Sequence, residues 1–207
     1  ISVVYPAVDK KLLSCSNLEN SDQSEKTFKI ISVGRCHWNK GYTLALDGMS
    51  VLMERGYKFH YTLIANGKDS ENIEFQINDL KLNNYVTFIN GLDHKDVINQ
   101  ISKSDIFLLP SYQEGIANVV IEAMALGVPV ISTNCGGMKE VVIDSLNGYL
   151  IPLRDSNAIV NSIINIIELD SKARQQIVNN AKNTILKNHI LDVQVNKISK
   201  IYSDIIS

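Results

Sequence analysis

Residues 110–130 read PSYQEGIANVVIEAMALGVPV. Upstream, DIFLLP (105–110) is a continuously apolar run that Pro110 stops. Residues 116–126 follow a helical pattern, and VPVIST (128–133) is a second apolar, β-branched run. Strand, helix and strand within thirty residues describe a βαβ unit, and strands without polar alternation describe a parallel sheet covered on both faces. Two carboxylates interrupt this unit. Glu114 precedes Gly115, and Glu122 sits among Ile121, Ala123 and Met124, where a core helix normally carries no charge. An unpaired carboxylate there is costly, so Glu122 calls for a partner.

The same rhythm extends outward. FKIISVG (28–34), FHYTLIANG (59–67), YVTFING (85–91) and GYLIP (148–152) are strand candidates. Helical patterns occupy 43–55, 70–82, a segment from an Asp93 cap to about Ser102, and Asp155 through Glu168. The predicted architecture is an α/β, Rossmann-like three-layer α/β/α sandwich with a parallel sheet. Residues 1–27 read as a strand-like run, ISVVYPAVD, and a polar Ser/Asn/Glu-rich linker. Residues 28–169 form the sandwich, and 170–207 are helical with more apolar surface than a lone tail needs. The chain starts at Ile1 rather than Met, and the expectation is a piece of a longer protein.

Composition excludes several classes. The 207 residues are 45% hydrophobic with a net charge of −2, against the basic excess of a nucleic-acid binder. No apolar run approaches the roughly 18–20 residues of a membrane span. Cys15, Cys36 and Cys135 are odd in number and far apart, so reduced thiols in a cytosol are expected rather than a disulfide framework or a zinc site.

In a doubly wound sheet, ligands bind outside the carboxyl ends of the strands. GRCHWNKG (34–41), NGK (66–68), PSYQEG (110–115) and TNCGGMKE (133–140) fall at such ends. Their rim collects Arg35, Lys40, Lys68, Lys139 and Glu114. Cations with helix N-termini suit a diphosphate. Carboxylates beside them suit sugar or ribose hydroxyls, because an ionised carboxylate accepts two hydroxyl hydrogen bonds. The amides of Ile116, Ala117 and Asn118 face an anion or sugar oxygen in this reading, and Gly115 lets backbone approach a ligand. Cys36 and Cys135, though on the rim, lack an activating base. His37-Trp38 reads as a packed loop, and His94 and His189 as solvent-facing.

The segment PSYQEGIANVVIEAMALGVPVISTNCGGMKEVVIDSLNGYLIP resembles the signature region of the group 1 (family 4) retaining glycosyltransferases. Its carriers are Glu114 and Glu122 separated by seven residues, Gly-Val-Pro-Val (127–130), Gly136-Gly137, Glu140 and Asn147-Gly148. SVGRCHWNKG resembles the family's Gly-Arg…Lys-Gly segment, with Gly34, Arg35, Lys40 and Gly41 in place, and the likeness runs from about Phe28 to Glu168. The resemblance implies one half of a GT-B two-domain enzyme, the C-terminal domain that binds the donor.

By the same resemblance, Arg35 and Lys40 hold the diphosphate and stabilise charge on the leaving group. Glu114 positions the donor sugar, Glu122 binds the ribose hydroxyls, and the Gly115–Asn118 backbone supports sugar and phosphate. The chemistry retains anomeric configuration without a metal, and a nucleotide-diphosphate sugar is the donor substrate rather than a cofactor. GDP-mannose and UDP-hexoses are both open as donors, with a lipopolysaccharide, capsule or other surface glycan as acceptor. The acceptor, a glycan or glycolipid, and any peripheral membrane contact at the inner face of the cytoplasmic membrane belong to the missing N-terminal domain. Residues 170–207 are expected to pack back toward that domain. A non-catalytic nucleotide-binding module on the same fold is the alternative.

The chain departs from the family pattern at three places. Ala65-Asn66-Gly67-Lys68 stands where the family has a Gly-x-Gly turn. Ile116 replaces a frequent aromatic, and Ala117 replaces a frequent proline.

Overall fold

The computed structural model describes residues 3–14 and 26–206, so the thiol of Cys15 and most of the expected linker lie outside the described residues. Six parallel strands form one sheet: β1 (Phe28–Arg35), β2 (Phe59–Asn66), β3 (Val86–Ile89), β4 (Ile106–Leu109), β5 (Val130–Thr133) and β6 (Tyr149–Ile151). Their spatial order is β3-β2-β1-β4-β5-β6. The chain therefore starts at the centre, winds outward to β3, and returns to lay β4 beside β1. In β4 and β5 every residue is buried, as the unbroken apolar runs require.

Adjacent residues along each strand feed opposite faces of the sheet. Ile31, Phe107 and Val130 face one core, with α3 (His94–Ser102), α4 (Asn118–Leu126) and α6 (Ser171–Asn188) over it. Ile30, Ile106 and Ile131 face the other, under α1 (Tyr42–Glu54), α2 (Ser70–Asp79) and α5 (Ser156–Glu168). Asp155 and Asp170 cap α5 and α6 by accepting the amides of Ala158 and Ala173.

Two expectations are corrected. The helix of the central unit begins at Asn118, not near Ile116, because Ala117 at its N-cap is extended with φ −76° and ψ 121°. Of the run read as strand-like, the described residues 3–9 add no strand to the sheet: Val8 makes an isolated parallel bridge to Ile190, which joins α6 to α7 (Leu191–Ile206). The Val8 amide donates to His189 O at 2.8 Å, and the Leu191 amide donates to Val8 O at 3.2 Å. α6 packs on α4 through Ala181 and Ile185, inside the same core. α7 leaves Leu191, Val195, Ile198 and Tyr202 exposed, a stripe at helical spacing. Among the described residues no helix is long and apolar enough to cross a membrane.

His189, expected in solvent, is buried, and its Nδ1 lies 2.9 Å from Pro6 O. Burial first, and the charge of Lys197, pull its pKa below the ordinary 6.5, against the opposing pull of the Pro6 hydrogen bond. The unfolded imidazole therefore takes up a proton near pH 6.5 while the folded one resists it, so this group's contribution is complete above that pH and is lost as pH falls below it. In pH-resolved thermal melting, His189→Gln is expected to flatten the fall in melting midpoint on the acid side of about pH 6.5 relative to the parent chain.

Candidate active site at the centre of the sheet

β1 and β4 are neighbours whose following connections run to opposite sides, which opens a crevice at their carboxyl ends. After Arg35 the chain makes one 3-10 turn, Trp38–Lys40, with His37 as N-cap. The turn ends at Gly41 in the left-handed region, φ 66°, where an added Cβ would stand 2.1 Å from the Pro110 carbonyl oxygen. Only glycine permits that approach. The Tyr112 amide donates to Asn39 O at 2.7 Å, so the loops after β1 and β4 are joined backbone to backbone.

That seam sets Lys40 against Glu114. The Lys40 ammonium donates to Glu114 Oε1, and the Ser111 hydroxyl donates to the same oxygen at 2.9 Å. Both ionic side chains are only 13% exposed. Arg35 and Lys40, expected to hold a diphosphate together, stand in different surroundings: Lys40 pairs with Glu114, and Arg35, exposed, lines an adjoining cleft of about 660 Å³ with Asn66, Lys68 and Asp69. Gly67 closes this side. An added Cβ there would lie 2.4 Å from Cys36 O, so the shortened Ala65–Lys68 turn presses on the β1 loop. Burial pushes the Cys36 thiol pKa up, which fits an unreactive cysteine.

Gly136 and Gly137 brace the other side. Gly136 has φ 50°, and an added Cβ would fall 1.7 Å from Glu114 O; one at Gly137 would fall 3.0 Å from Ile116 Cγ1. The glycine pair thus supports the Glu114–Ile116 backbone. Gly115 is exposed, and an added Cβ would meet nothing within 4 Å. Ile116 packs on the core, Ala117 is buried, and Asn118 is exposed at the first position of α4. No side chain caps α4; the Val120 amide donates to Ala117 O at 3.0 Å, and the amides of Asn118 and Val119 keep their donor capacity. Gly34 lies beneath: an added Cβ would stand 2.6 Å from the Tyr42 hydroxyl. Lys139 and Glu140 are exposed. Asn147 is buried and structural: its side chain accepts from the Ile143 amide at 2.7 Å and donates to Val141 O at 3.0 Å.

Glu122 lies just over one turn into α4 and is 8% exposed. Its Oε1 is 2.9 Å from His94 Nε2, and its Oε2 is buried without a hydrogen-bond partner. His94, expected in solvent, is exposed, its side chain 73% accessible, and its contact with Glu122 is the feature that the expectation lacked. The signal that could have found that contact is the position of His94: it follows the Asp93 cap after β3, and that rim loop was not counted with the other four. Trp38, expected to be packed, is 66% exposed, with its ring 6.4 Å from that of Tyr112.

The family model described as glycosyl transferases group 1 matches residues 16–184. The chain belongs to this family. The amylovoran biosynthesis glycosyltransferase AmsK of Erwinia amylovora is 30% identical over 156 residues, 72% of this chain and 38% of that protein. A glycosyltransferase from Rickettsia africae ESF-5 superposes with a TM-score of 0.89 at 21% identity, over 100% of this chain and 57% of that one. HepE of Anabaena, solved in complex with UDP and glucose, gives 0.84 at 23% identity, over 98% of this chain and 57% of its own. These two likenesses establish the fold, a Rossmann-like domain of GT-B type. The chain spans about four-tenths of the length of the curated relatives it matches.

The support given by the glycine pair is measurable. Gly136→Ala is expected to lower unfolding free energy by about 2 kcal/mol or more, since the Cβ meets backbone and the φ is positive. Gly115→Ala, with open space around it, is expected to stay within about 0.5 kcal/mol. Urea titration of both variants checks the contrast.

Proposed function

We propose that this chain is the donor-binding, C-terminal half of a retaining hexosyltransferase that moves a hexose from a nucleotide-diphosphate sugar to a surface-glycan acceptor. The observation that carries the reading is Glu122: a buried carboxylate with unspent acceptor capacity, in the same helix-and-loop unit as the Lys40–Glu114 pair, at the switch point of a parallel sheet. A core helix gains nothing from that charge, whereas a ribose hydroxyl arriving beside the exposed His94 adds a donor to the carboxylate. HepE, which shares this fold and was solved in complex with UDP, supports a nucleotide as part of the donor. The polysaccharide-biosynthesis names of AmsK and its kind support the glycan acceptor.

The arrangement suggests how the donor is received. Lys40 and Glu114 neutralise each other, which lowers the cost of holding either group partly buried. In the proposed complex the diphosphate draws Lys40 and Arg35, and sugar hydroxyls take over Glu114. The α4 first-turn amides add a fixed positive potential. As the nucleoside diphosphate leaves, the two cations and these amides stabilise its developing charge. The acceptor enters from the other half of the enzyme, and the exposed α7 stripe of Val195, Ile198 and Tyr202 is the surface that half covers. The reaction is assigned to the cytoplasm, with membrane contact made through the other half. GDP-mannose and UDP-hexoses remain the candidate donors, with no metal or further cofactor.

Titration of the chain with GDP, UDP and ADP under two-dimensional NMR tests the site. Shifts concentrated at Arg35, Lys40, Gly115–Asn118 and Glu122, with one base preferred, are the expected result. In the full-length enzyme Glu122→Ala is expected to weaken nucleotide binding, and unchanged affinity in calorimetry would reject its ribose role. Arg35→Ala and Lys40→Ala are each expected to slow transfer by about 10²-fold, as for loss of a charge-stabilising donor. Full turnover in either variant would remove the diphosphate role.

A further inference from the structure

Glu122 does not stand alone in its helix. His94 is the first residue of α3, and its Nε2 reaches across to Glu122 Oε1 at 2.9 Å. The imidazole is otherwise exposed, its side chain 73% accessible, while Val97 and Ile101 anchor α3 in the core. The contact therefore adds little packing to α3. Its effect falls on the carboxylate. A glutamate has three rotatable side-chain bonds, and α4 surrounds this one with Ile121, Ala123, Met124 and Ala125, none of which can hold an oxygen in place. The His94 contact is the single hydrogen bond that the structure gives the Glu122 carboxylate among the described residues, and Oε2 is covered and without a partner.

We infer that His94 is a positioning residue for ribose recognition: by fixing Glu122 Oε1 it sets the direction in which the carboxylate's remaining acceptor capacity meets the hydroxyls of a nucleotide. An ionised carboxylate has about four acceptor sites, and the structure uses one. A group that must orient a ligand is effective only when its own rotamer is locked by a neighbour. His94 supplies that lock from a different helix, so ribose recognition depends on the packing of α3 against α4. The inference rests on the donor-site reading above and adds to it the residue that orients the ribose acceptor.

The test compares the parent chain with His94→Ala and His94→Gln. Each is titrated by calorimetry with UDP, GDP and ADP, then with the 2′,3′-dideoxy form of whichever binds tightest, and each is melted thermally. The parent is expected to prefer the ribonucleotide by about tenfold or more, the worth of a hydrogen bond to a charged group. His94→Ala is expected to bring that preference to within about twofold, with an unchanged melting midpoint. His94→Gln, whose amide can still donate to Glu122, is expected to restore most of it. Full preference in His94→Ala would overturn the inference and leave the donor reading intact. Equal weakening of ribo- and dideoxynucleotide with a lowered melting midpoint would assign His94 a purely structural role and overturn it as well. Absence of nucleotide binding by the parent chain would overturn the donor reading, and this inference with it.

Discussion

Where the loops after β1 and β4 pass each other, the backbone of Gly41 lies against the Pro110 carbonyl, and the Tyr112 amide donates to Asn39. The sheet order makes this meeting unavoidable, because β4 returns to the centre to pair with β1 while the two connections leave on opposite faces. Any side chain at the contact would force the two loops apart, since its Cβ would stand 2.1 Å from the Pro110 carbonyl oxygen. The glycine removes that spacing, and the Lys40 ammonium then reaches the Glu114 carboxylate. Residues 74 apart in sequence become one ion pair through a backbone contact, not through any long-range attraction between them.

Glu122 poses the opposite case. Hydrophobic packing would favour an alanine or a methionine at its place in α4, and the helix around it is built from such residues. The fold tolerates the charge because His94 satisfies one oxygen, and it leaves the other unsatisfied. A native structure rarely leaves such an atom without cause.

Strand and helix alternation was legible because it rests on local hydrophobic runs, and DIFLLP and VPVIST each contain a four-residue strand, β4 and β5. The start of α4 was misplaced by about two residues, since nothing local in Gly115-Ile116-Ala117 forbids helix; the extended turn there is set by Gly136 and Gly137 pressing from β5. The rim residues were legible as a set but not as pairs. Arg35 and Lys40 were legible as rim cations that the family resemblance assigns to a diphosphate, but the pairing of Lys40, at the end of the turn from Trp38, with Glu114, on a loop 74 residues away, was not. The Glu122 contact of the exposed His94 and the burial of His189 were missed for a common reason: each partner, Glu122 and Pro6, comes from a distant element, and a lone histidine carries no periodic signal.

The brace formed by Gly136 and Gly137 ties the loop after β5 to the backbone of Glu114, as Gly41 ties the loop after β1 to Pro110. Three of the rim's loops therefore behave as one mechanical block. A substitution that shifts any of them must move all three, so the block has little room to drift over evolutionary time. The turn at Ala65–Lys68 presses on the same block through Gly67, whose added Cβ would stand 2.4 Å from Cys36 O. The exposed Trp38 side chain lies at the margin, toward the open cleft, where a side chain can change without dragging the block with it.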